Sequence, residues 1–172
     1  AIGIASALSA TALAAGEKRM RLALHAANME AYEYVPATDR VHRSGDLSHA
    51  WGLGTEGSGN DYFTRIHPDD RAALCNALGG LRPDSPDYAV EYRLQLPDER
   101  HIWLADWASA VFDDDGRIDR VFGVCRDVTG RRALEDELQQ HQQHLERLVA
   151  ERAAQLSSSE ANLRLILEST AD

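Results

Sequence analysis

Residues 121–139, VFGVCRDVTGRRALEDELQ, join a β-strand to a long helix without a loop between them. The apolar residues between Val121 and Val128 predict a strand. From Arg131 onward the sequence is charged, helix-forming and free of proline. A domain that only binds something does not need such a junction, whereas a domain that reports binding to a neighbour does. We therefore expect a sheet that acts on a long helix.

The composition fits one globular domain with additional helical sequence. The chain has 172 residues, of which 44% are hydrophobic, and a net charge of −10. The negative charge argues against nucleic acid as a partner, because binding phosphates requires clustered Lys and Arg. Cys75 and Cys125 lack the spacing of a zinc site or a disulfide framework. We expect a protein of the reducing cytoplasm.

The first 28 residues are expected to form a flanking helix or linker. Residues 1–16 are small and apolar, yet shorter than the roughly twenty residues that cross a bilayer. They also lack the basic residues that open a signal peptide. A soluble helix is favoured over the end of a transmembrane helix. In the second case the chain would be the cytoplasmic part of a membrane-anchored sensor.

Residues 29–130 carry the pattern of an antiparallel sheet with small helices on one face. Period-two alternation and turn residues predict five strands. A helical turn is expected around residues 47–51, and Pro68 opens a helix that reaches about Leu78. The five strands are expected at Ala31–Val35, Arg40–Arg43, Tyr88–Leu96, His101–Val111 and Val121–Val128.

An ordered set of motifs within this region resembles a PAS domain of the PAS_3 type with a PAC-type C-terminal motif. The motifs are AYEYVPATDRVHRSG, RIHPDDR, VEYRL, HIWLADWASAVFDDDGR and VFGVCRDVTGRR. The resemblance implies an α+β PAS fold in a sensory, subunit-pairing module of a bacterial multi-domain signalling protein. Such modules sense ligands or cofactors and are joined to histidine kinases or to cyclic-di-GMP enzymes.

The C-terminal third of the chain gives two further resemblances. LERLVAERAAQL, residues 145–156, resembles connectors in hybrid histidine kinases. A histidine kinase is therefore the first expectation for the output domain, and a diguanylate cyclase or phosphodiesterase is the alternative. Residues 160–172, within SSSEANLRLILESTAD, resemble the beginning of a second PAS domain.

Residues 131–159 are expected to form a coiled-coil signalling helix that continues to about Glu168. Apolar residues at alternating three- and four-residue steps mark a seam, and two successive four-residue steps from His141 to Val149 insert a stutter. A homodimer through the flanking helices is favoured over a solvated single helix. The seam residues are Leu134, Leu138, His141, Leu145, Val149, Arg152, Leu156, Ser159, Leu163 and Ile166.

Asp127, Thr129 and Gly130 lie where the last strand becomes the helix. Asp127 and Thr129 can accept hydrogen bonds from the first-turn amides, and Gly130 permits a sharp change of direction. The resemblance implies that the Asp-x-Thr pair couples the sheet to the output helix. The alternative is a stabilising helix cap without a role in signalling.

Catalytic and metal-binding motifs are missing from the sequence. His67, Asp69 and Asp70 could bind a metal, but their place at a helix start is better explained by capping. SGNDYFTRI lacks the reactive cysteine of a flavin photosensor, and DDRAALCNALGG lacks a haem-ligating histidine. Cys75 is expected to pack as a small buried hydrophobe. Haem and flavin are therefore disfavoured, and the absorption spectrum of the purified protein distinguishes them because both are coloured.

A cavity between the sheet and the long domain helix is the remaining candidate site. It is expected to hold a small apolar or carboxylic ligand, or to be filled by its own side chains. An enzyme acting on a small molecule is disfavoured because the expected lining is aromatic and aliphatic. That lining is Tyr34, Phe63, Ile66, Leu74, Leu78, Tyr92, Leu94, Trp103 and Val124.

Overall fold

An antiparallel sheet of six strands organises the first part of the chain in the computed structural model. The structure describes residues 2–45 and 47–169, which fall into two units, Ala1–Thr129 and Gly130–Asp172. The strands are ordered β3-β2-β1-β6-β5-β4 across the sheet. They are β1 Met29–Val35, β2 Arg40–Arg43, β3 Glu56–Ser58, β4 Asp87–Gln95, β5 His101–Phe112 and β6 Ile118–Asp127.

The chain has four α-helices and one short 3-10 helix in its described part. One long α-helix comes before the first strand in the sequence and another follows the last strand. A short 3-10 helix, Pro36–Thr38, connects β1 to β2. Ser58 caps α2, because its hydroxyl accepts a hydrogen bond from the Asp61 amide at 3.1 Å. The four α-helices are α1 Ile2–Ala26, α2 Gly59–Thr64, α3 Pro68–Gly79 and α4 Thr129–Ser169.

The structure confirms the α+β class and the PAS fold but adds a sixth strand to the five expected. The additional strand, β3, has three residues and no apolar alternation, so its sequence reads as a loop. It forms because it pairs with β2, with Arg40 opposite Ser58, and Arg40 and Glu56 form an ion pair. The helical turn expected at residues 47–51 is present as a single turn, in which the Trp51 amide donates to the Leu47 carbonyl at 3.3 Å.

The two faces of the sheet differ as the alternation in β5 predicts. Leu104 and Ala108 lie on the inner face and are buried in the core. Trp107 and Val111 point to the outer face and are 42% and 47% exposed, as is Phe122 of β6 at 47%. The helix α1 therefore does not bury these outer side chains.

Arg93 attaches the start of α3 to the edge strand β4 through ion pairs with Asp70 and Asp69. Arg93 donates to Asp70 from its backbone amide and from its guanidinium, at 2.8–2.9 Å. These bonds, together with the positive charge, lower the pKa of Asp70 to about 2. The cap itself is His67, whose ring nitrogen Nδ1 accepts from the Asp69 amide at 3.3 Å. Capping alone, as expected from the sequence, therefore does not account for Asp70.

Two long helices flank the domain, at positions close to those expected. None of the helices in the part of the chain that the structure describes is long and apolar enough to cross a membrane. The helix α4 has 41 residues and runs without interruption past residue 160, where the second PAS domain is expected to begin. That assignment stays a prediction, and residues 170–172 lie outside the described part.

Candidate functional site

The inner face of the sheet, together with α2, α3 and the loop after β2, encloses a cavity of about 340 Å³. This volume lies at the small end of the range for ligand sites, about 300–1,000 Å³. Both polar and apolar side chains line it. They are Glu30, Tyr32, Tyr34, Val41, Arg43, Trp51, Leu53, Gly59, Asn60, Tyr62, Phe63, Leu74, Cys75, Leu78, Tyr88, Tyr92, Asp106, Val121 and Cys125.

A buried carboxyl group, Asp106 of β5, is held by tyrosine hydroxyls in one wall of this cavity. Tyr32 donates to Asp106 Oδ1 at 3.0 Å, and Tyr88 and Tyr92 donate to Oδ2 at 3.0 and 3.3 Å. The hydroxyl of Tyr62 lies 2.8 Å from that of Tyr92 and can donate to it. Four phenols from β1, α2 and β4 therefore converge on one carboxyl group.

We call these five residues, Asp106 with Tyr32, Tyr62, Tyr88 and Tyr92, the Asp106 cluster. Burial determines the ionisation of its members. Loss of solvation raises the pKa of Asp106 to about 6, and the three phenol hydrogen bonds counteract part of the rise. Burial also raises the pKa of all four tyrosines, with the Asp106 charge adding to the effect. At neutral pH the phenols therefore stay protonated and donate to an ionised carboxylate.

Glu30 of β1 is the second buried carboxyl group at the cavity, and it closes the loop after β2. Its oxygens accept bonds from the Ser44 hydroxyl and from the amides of Gly45, Leu47 and Ser48, at 2.5–2.9 Å. These amides belong to a loop and do not pair with a strand. The Glu30 carboxylate supplies the hydrogen-bond acceptors that a neighbouring strand would otherwise provide. The loop carries Trp51, which lines the cavity.

The two cysteines occupy different environments at the cavity. Cys125 of β6 is buried, and burial raises the pKa of its thiol well above the usual value, so it is protonated at neutral pH. Cys75 of α3 is exposed, so the expectation that it is buried is wrong. It lies one residue beyond the buried Leu74, at the edge of the apolar face of α3. Across the described residues, no three His, Cys, Asp or Glu side chains come together as a metal site.

The strand-to-helix junction uses Asp127 as expected and Thr129 differently. Asp127 Oδ1 accepts from the Thr129 amide at 2.8 Å. The Thr129 hydroxyl accepts from the Trp103 amide of β5 at 2.8 Å rather than from a first-turn amide. Gly130 does not adopt a positive φ and lies within the first turn of α4. The change of direction therefore does not depend on a glycine conformation.

Five of the nine side chains expected to line the cavity do so: Tyr34, Phe63, Leu74, Leu78 and Tyr92. Ile66 and Leu94 do not line it, because they pair with each other in the hydrophobic core. The prediction that Trp103 and Val124 line the cavity is also wrong. They are one residue out of phase with the inner positions of their strands, and Trp103 stacks under the guanidinium of Arg93.

Sequence reasoning missed the charged residues of the cavity, namely Glu30, Arg43 and Asp106. The signal for Asp106 was present, since it is in phase with the inward residues Leu104 and Ala108. Glu30 was missed because β1 begins two residues before its expected start. The expectation of an aromatic and aliphatic lining is therefore corrected, because three charged side chains face the cavity.

The predicted seam residues lie along α4. The apolar members that the structure describes are exposed, with Leu134, Leu145 and Val149 between 60% and 68%. His141 and Arg152 are also exposed. The side chain of Leu163 lies outside the described part. These exposures describe the helix of one chain, and pairing with a second copy stays a prediction.

Gly123 is the place where β6 leaves room for Tyr32 of the cluster. A Cβ atom there would lie 2.3–2.5 Å from the Tyr32 phenol, so we expect Gly123→Ala to displace that ring. The free energy of unfolding should fall by about 1–3 kcal/mol. The matched control is Gly130→Ala, because nothing lies within 4 Å of its Cβ position. Denaturant unfolding measures both, and equal stability of the two variants would contradict the proposed packing.

The raised pKa of Asp106 predicts a pH dependence of stability. Between the usual value of 3.8 and about 6 the folded state binds more protons than the unfolded state. Stability should therefore fall as pH rises through this window, by roughly 3 kcal/mol at ~1.36 kcal/mol per pKa unit. Asp106→Asn removes this contribution. Denaturant unfolding of both proteins from about pH 4 to pH 7 gives a difference curve, and a flat curve would refute the assignment.

The family model described as PAS fold, PAS_3, matches residues 40–125. A sensory box histidine kinase/response regulator from Burkholderia thailandensis E264 is 28% identical, with a TM-score of 0.65, over 75% of this chain and 98% of that chain. A domain described as belonging to a light and redox sensing histidine kinase from Haloarcula marismortui is 25% identical, with a TM-score of 0.52, over 65% and 99%.

The N-terminal domain of a diguanylate cyclase with PAS/PAC sensor from Marinobacter aquaeolei has the same fold. It is 20% identical, with a TM-score of 0.53, over 60% of this chain and 98% of that chain. No curated protein matches the chain in sequence. The match to the family model extends over half of the 172 residues and includes β2 to β5 and most of β6. The chain belongs to the PAS_3 family of PAS-fold domains.

Proposed function

We propose that this chain is the sensory and dimerisation module of a signal-transduction protein. In this function the cavity holds a small molecule, and α4 carries the resulting change to a C-terminal output domain. The observation that supports the proposal is that β5 contacts both places. It contributes Asp106 to the cavity wall and, three residues earlier, the Trp103 amide that Thr129 accepts.

The route from cavity to helix is short and consists of backbone bonds and one bond to the Thr129 hydroxyl. Asp106 is opposite Cys125 of β6, and Leu104 is opposite Asp127. The Val128 amide donates to the Trp103 carbonyl at 2.8 Å, next to the bond from Trp103 to Thr129. A shift of β5 against β6 would therefore change the geometry of both bonds at the start of α4.

A histidine kinase is the output domain that the relatives favour. The relative from Burkholderia thailandensis is a sensory box histidine kinase/response regulator, and the one from Haloarcula marismortui also comes from a histidine kinase. The resemblance of residues 145–156 to connectors in hybrid histidine kinases agrees with this output. The bond from Trp103 to Thr129 then lies between the ligand and the kinase.

We also propose that α4 pairs with α4 of a second copy. Leu134, Leu138 and Leu145 form an exposed apolar stripe on this helix, and such stripes at heptad spacing are buried in coiled coils. Exposed apolar side chains on a helix of 41 residues are unfavourable in water, so pairing would stabilise the helix.

The pairing predicts opposite results for two variants that add the same charge. Leu145→Glu places a carboxylate in the seam and should convert a dimer into monomers at micromolar concentration. Gln143→Glu, on the opposite side of the heptad, should leave the dimer intact. Sedimentation velocity measures both. A wild-type chain that stays monomeric over this range would contradict the proposal.

The relay is tested in the full-length parent protein by a double-mutant cycle. Leu78→Phe adds volume inside the cavity and should change the autophosphorylation rate severalfold. Thr129→Val removes the acceptor for the Trp103 amide while keeping the shape of the side chain, so Leu78→Phe should have no further effect on it. Thr38→Val, which removes an exposed hydroxyl bonded within its own turn, should preserve the Leu78→Phe effect. An effect that survives Thr129→Val would contradict the relay.

A further inference from the structure

The two carboxylates at the cavity already accept hydrogen bonds from donors of the protein itself. Glu30 accepts from one hydroxyl and three amides of the loop after β2. Asp106 accepts from the hydroxyls of Tyr32, Tyr88 and Tyr92. Every one of these donors belongs to this chain. Neither group therefore requires a cationic ligand.

Arg43 of β2 is in the opposite situation. Its side chain lines the cavity and the residue is only 6% exposed. It donates one hydrogen bond, from Nη1 to the Gly54 carbonyl at 3.2 Å, and its guanidinium lies 5.4 Å from the centre of the Tyr62 ring. Within the described residues, no carboxylate lies at ion-pair distance from Arg43. A guanidinium has five N–H donors, and a buried charge without a counter-charge is unfavourable.

A second cation, Arg65, interacts electrostatically with Arg43, although it does not itself line the cavity. Arg65 holds the loop that carries Trp51, because it donates to the carbonyls of Trp51, Gly52 and Gln95. Partial burial lowers the pKa of Arg65, and the charge of Arg43 contributes to the shift. An anion beside Arg43 would therefore be attracted by the charge of Arg65 as well.

The remaining lining defines the body of a ligand that would supply this anion. The aromatic rings of Tyr34, Trp51, Tyr62 and Phe63 line the same cavity as Arg43, and the Tyr62 ring lies 5.4 Å from the guanidinium. Flat rings of a ligand pack well against such side chains. About 340 Å³ accommodates on the order of ten non-hydrogen atoms at the ~30 Å³ share of a water molecule. The cavity thus suits one small ring with one short substituent.

We propose that the ligand of this cavity is a small aromatic carboxylate whose carboxyl group pairs with Arg43. This inference rests on the proposed sensory function and gives its ligand a chemical class. One guanidinium matches one carboxylate in charge and can bind it through two parallel N–H bonds. The ring lies among the aromatic side chains, and the Asp106 cluster forms another wall of the same cavity.

Isothermal titration calorimetry of the full chain at neutral pH tests the proposal with acids and their neutral amides. The probes are benzoate, phenylacetate and indole-3-acetate, each paired with its own amide, which has nearly the same shape but no charge. At least one acid should bind about ten- to hundredfold more tightly than its amide, as loss of a charge-assisted hydrogen-bonded pair implies. Phenyl phosphate, titrated in the same way, should bind more weakly than the preferred acid.

Three arginine variants, at two positions, test which side chain causes the preference for the acid. Arg43→Gln should remove the difference between acid and amide. The matched control is Arg71→Gln, because Arg71, like Arg43, donates to backbone carbonyls and lies over an aromatic ring, at 5.9 Å from the Phe63 centroid, but does not line the cavity. It should keep the preference. Arg43→Lys retains the charge without the two-pronged geometry and should bind the acid with intermediate affinity. The comparison on wild-type protein decides the question even if the Arg43 variants do not fold.

Three results would overturn the proposal. Equal affinity for acids and amides would show that Arg43 does not select an anion, while leaving a ligand-binding sensor intact. A preference for phenyl phosphate would assign Arg43 to a different anion. Failure of all acids and amides to bind at millimolar concentration would remove both this ligand class and the small-molecule part of the proposed function. The relay to α4 is independent of these titrations, since the double-mutant cycle needs no ligand.

Discussion

The buried Asp106 carboxyl group is the interaction on which the arrangement of the sensory domain depends. A charge in this position is tolerated because three phenol hydroxyls donate to it, and a fourth phenol supports one of them. The phenols come from β1, α2 and β4, so one polar group on β5 fixes the separation of elements that hydrophobic packing alone could place in several ways. The polar wall it forms belongs to a cavity whose remaining lining is mixed and includes the rings of Tyr34, Trp51 and Phe63.

The same strand supports the proposed transmission from the cavity to the end of the domain. β5 has its inner face at the cavity, its partner β6 leads directly into α4, and Thr129 closes the junction by accepting from β5. These bonds join β5 directly to the first residues of α4, so a displacement of β5 against β6 would change their geometry. Arg43 lines the same cavity and, among the described residues, has no carboxylate at ion-pair distance, so in the proposed complex it would orient an anionic ligand.

The sequence predicted the sheet, the two long helices and the family, because alternation in β4 to β6 and the order of the motifs are strong local signals. It predicted Tyr34 and Tyr92 at the cavity for the same reason. Trp103 was misplaced because large aromatic residues occur on both faces of β5. The residue type alone therefore does not show which face of the sheet a side chain lies on. β3 and the roles of Glu30 and Arg43 depend on contacts between distant segments, which no local pattern encodes. Asp106 could have been identified by its phase in β5.

The claim that the Asp106 cluster is coupled to α4 is tested most directly by NMR on the wild-type chain. The carboxyl carbon of Asp106 and the amide exchange protection of Trp103 and Val128 are followed through the titration near pH 6. Protection factors remove the intrinsic pH dependence of exchange. The account predicts that both protection factors change in step with the Asp106 signal. Titration of Asp106 with constant protection at Trp103 and Val128 would contradict it.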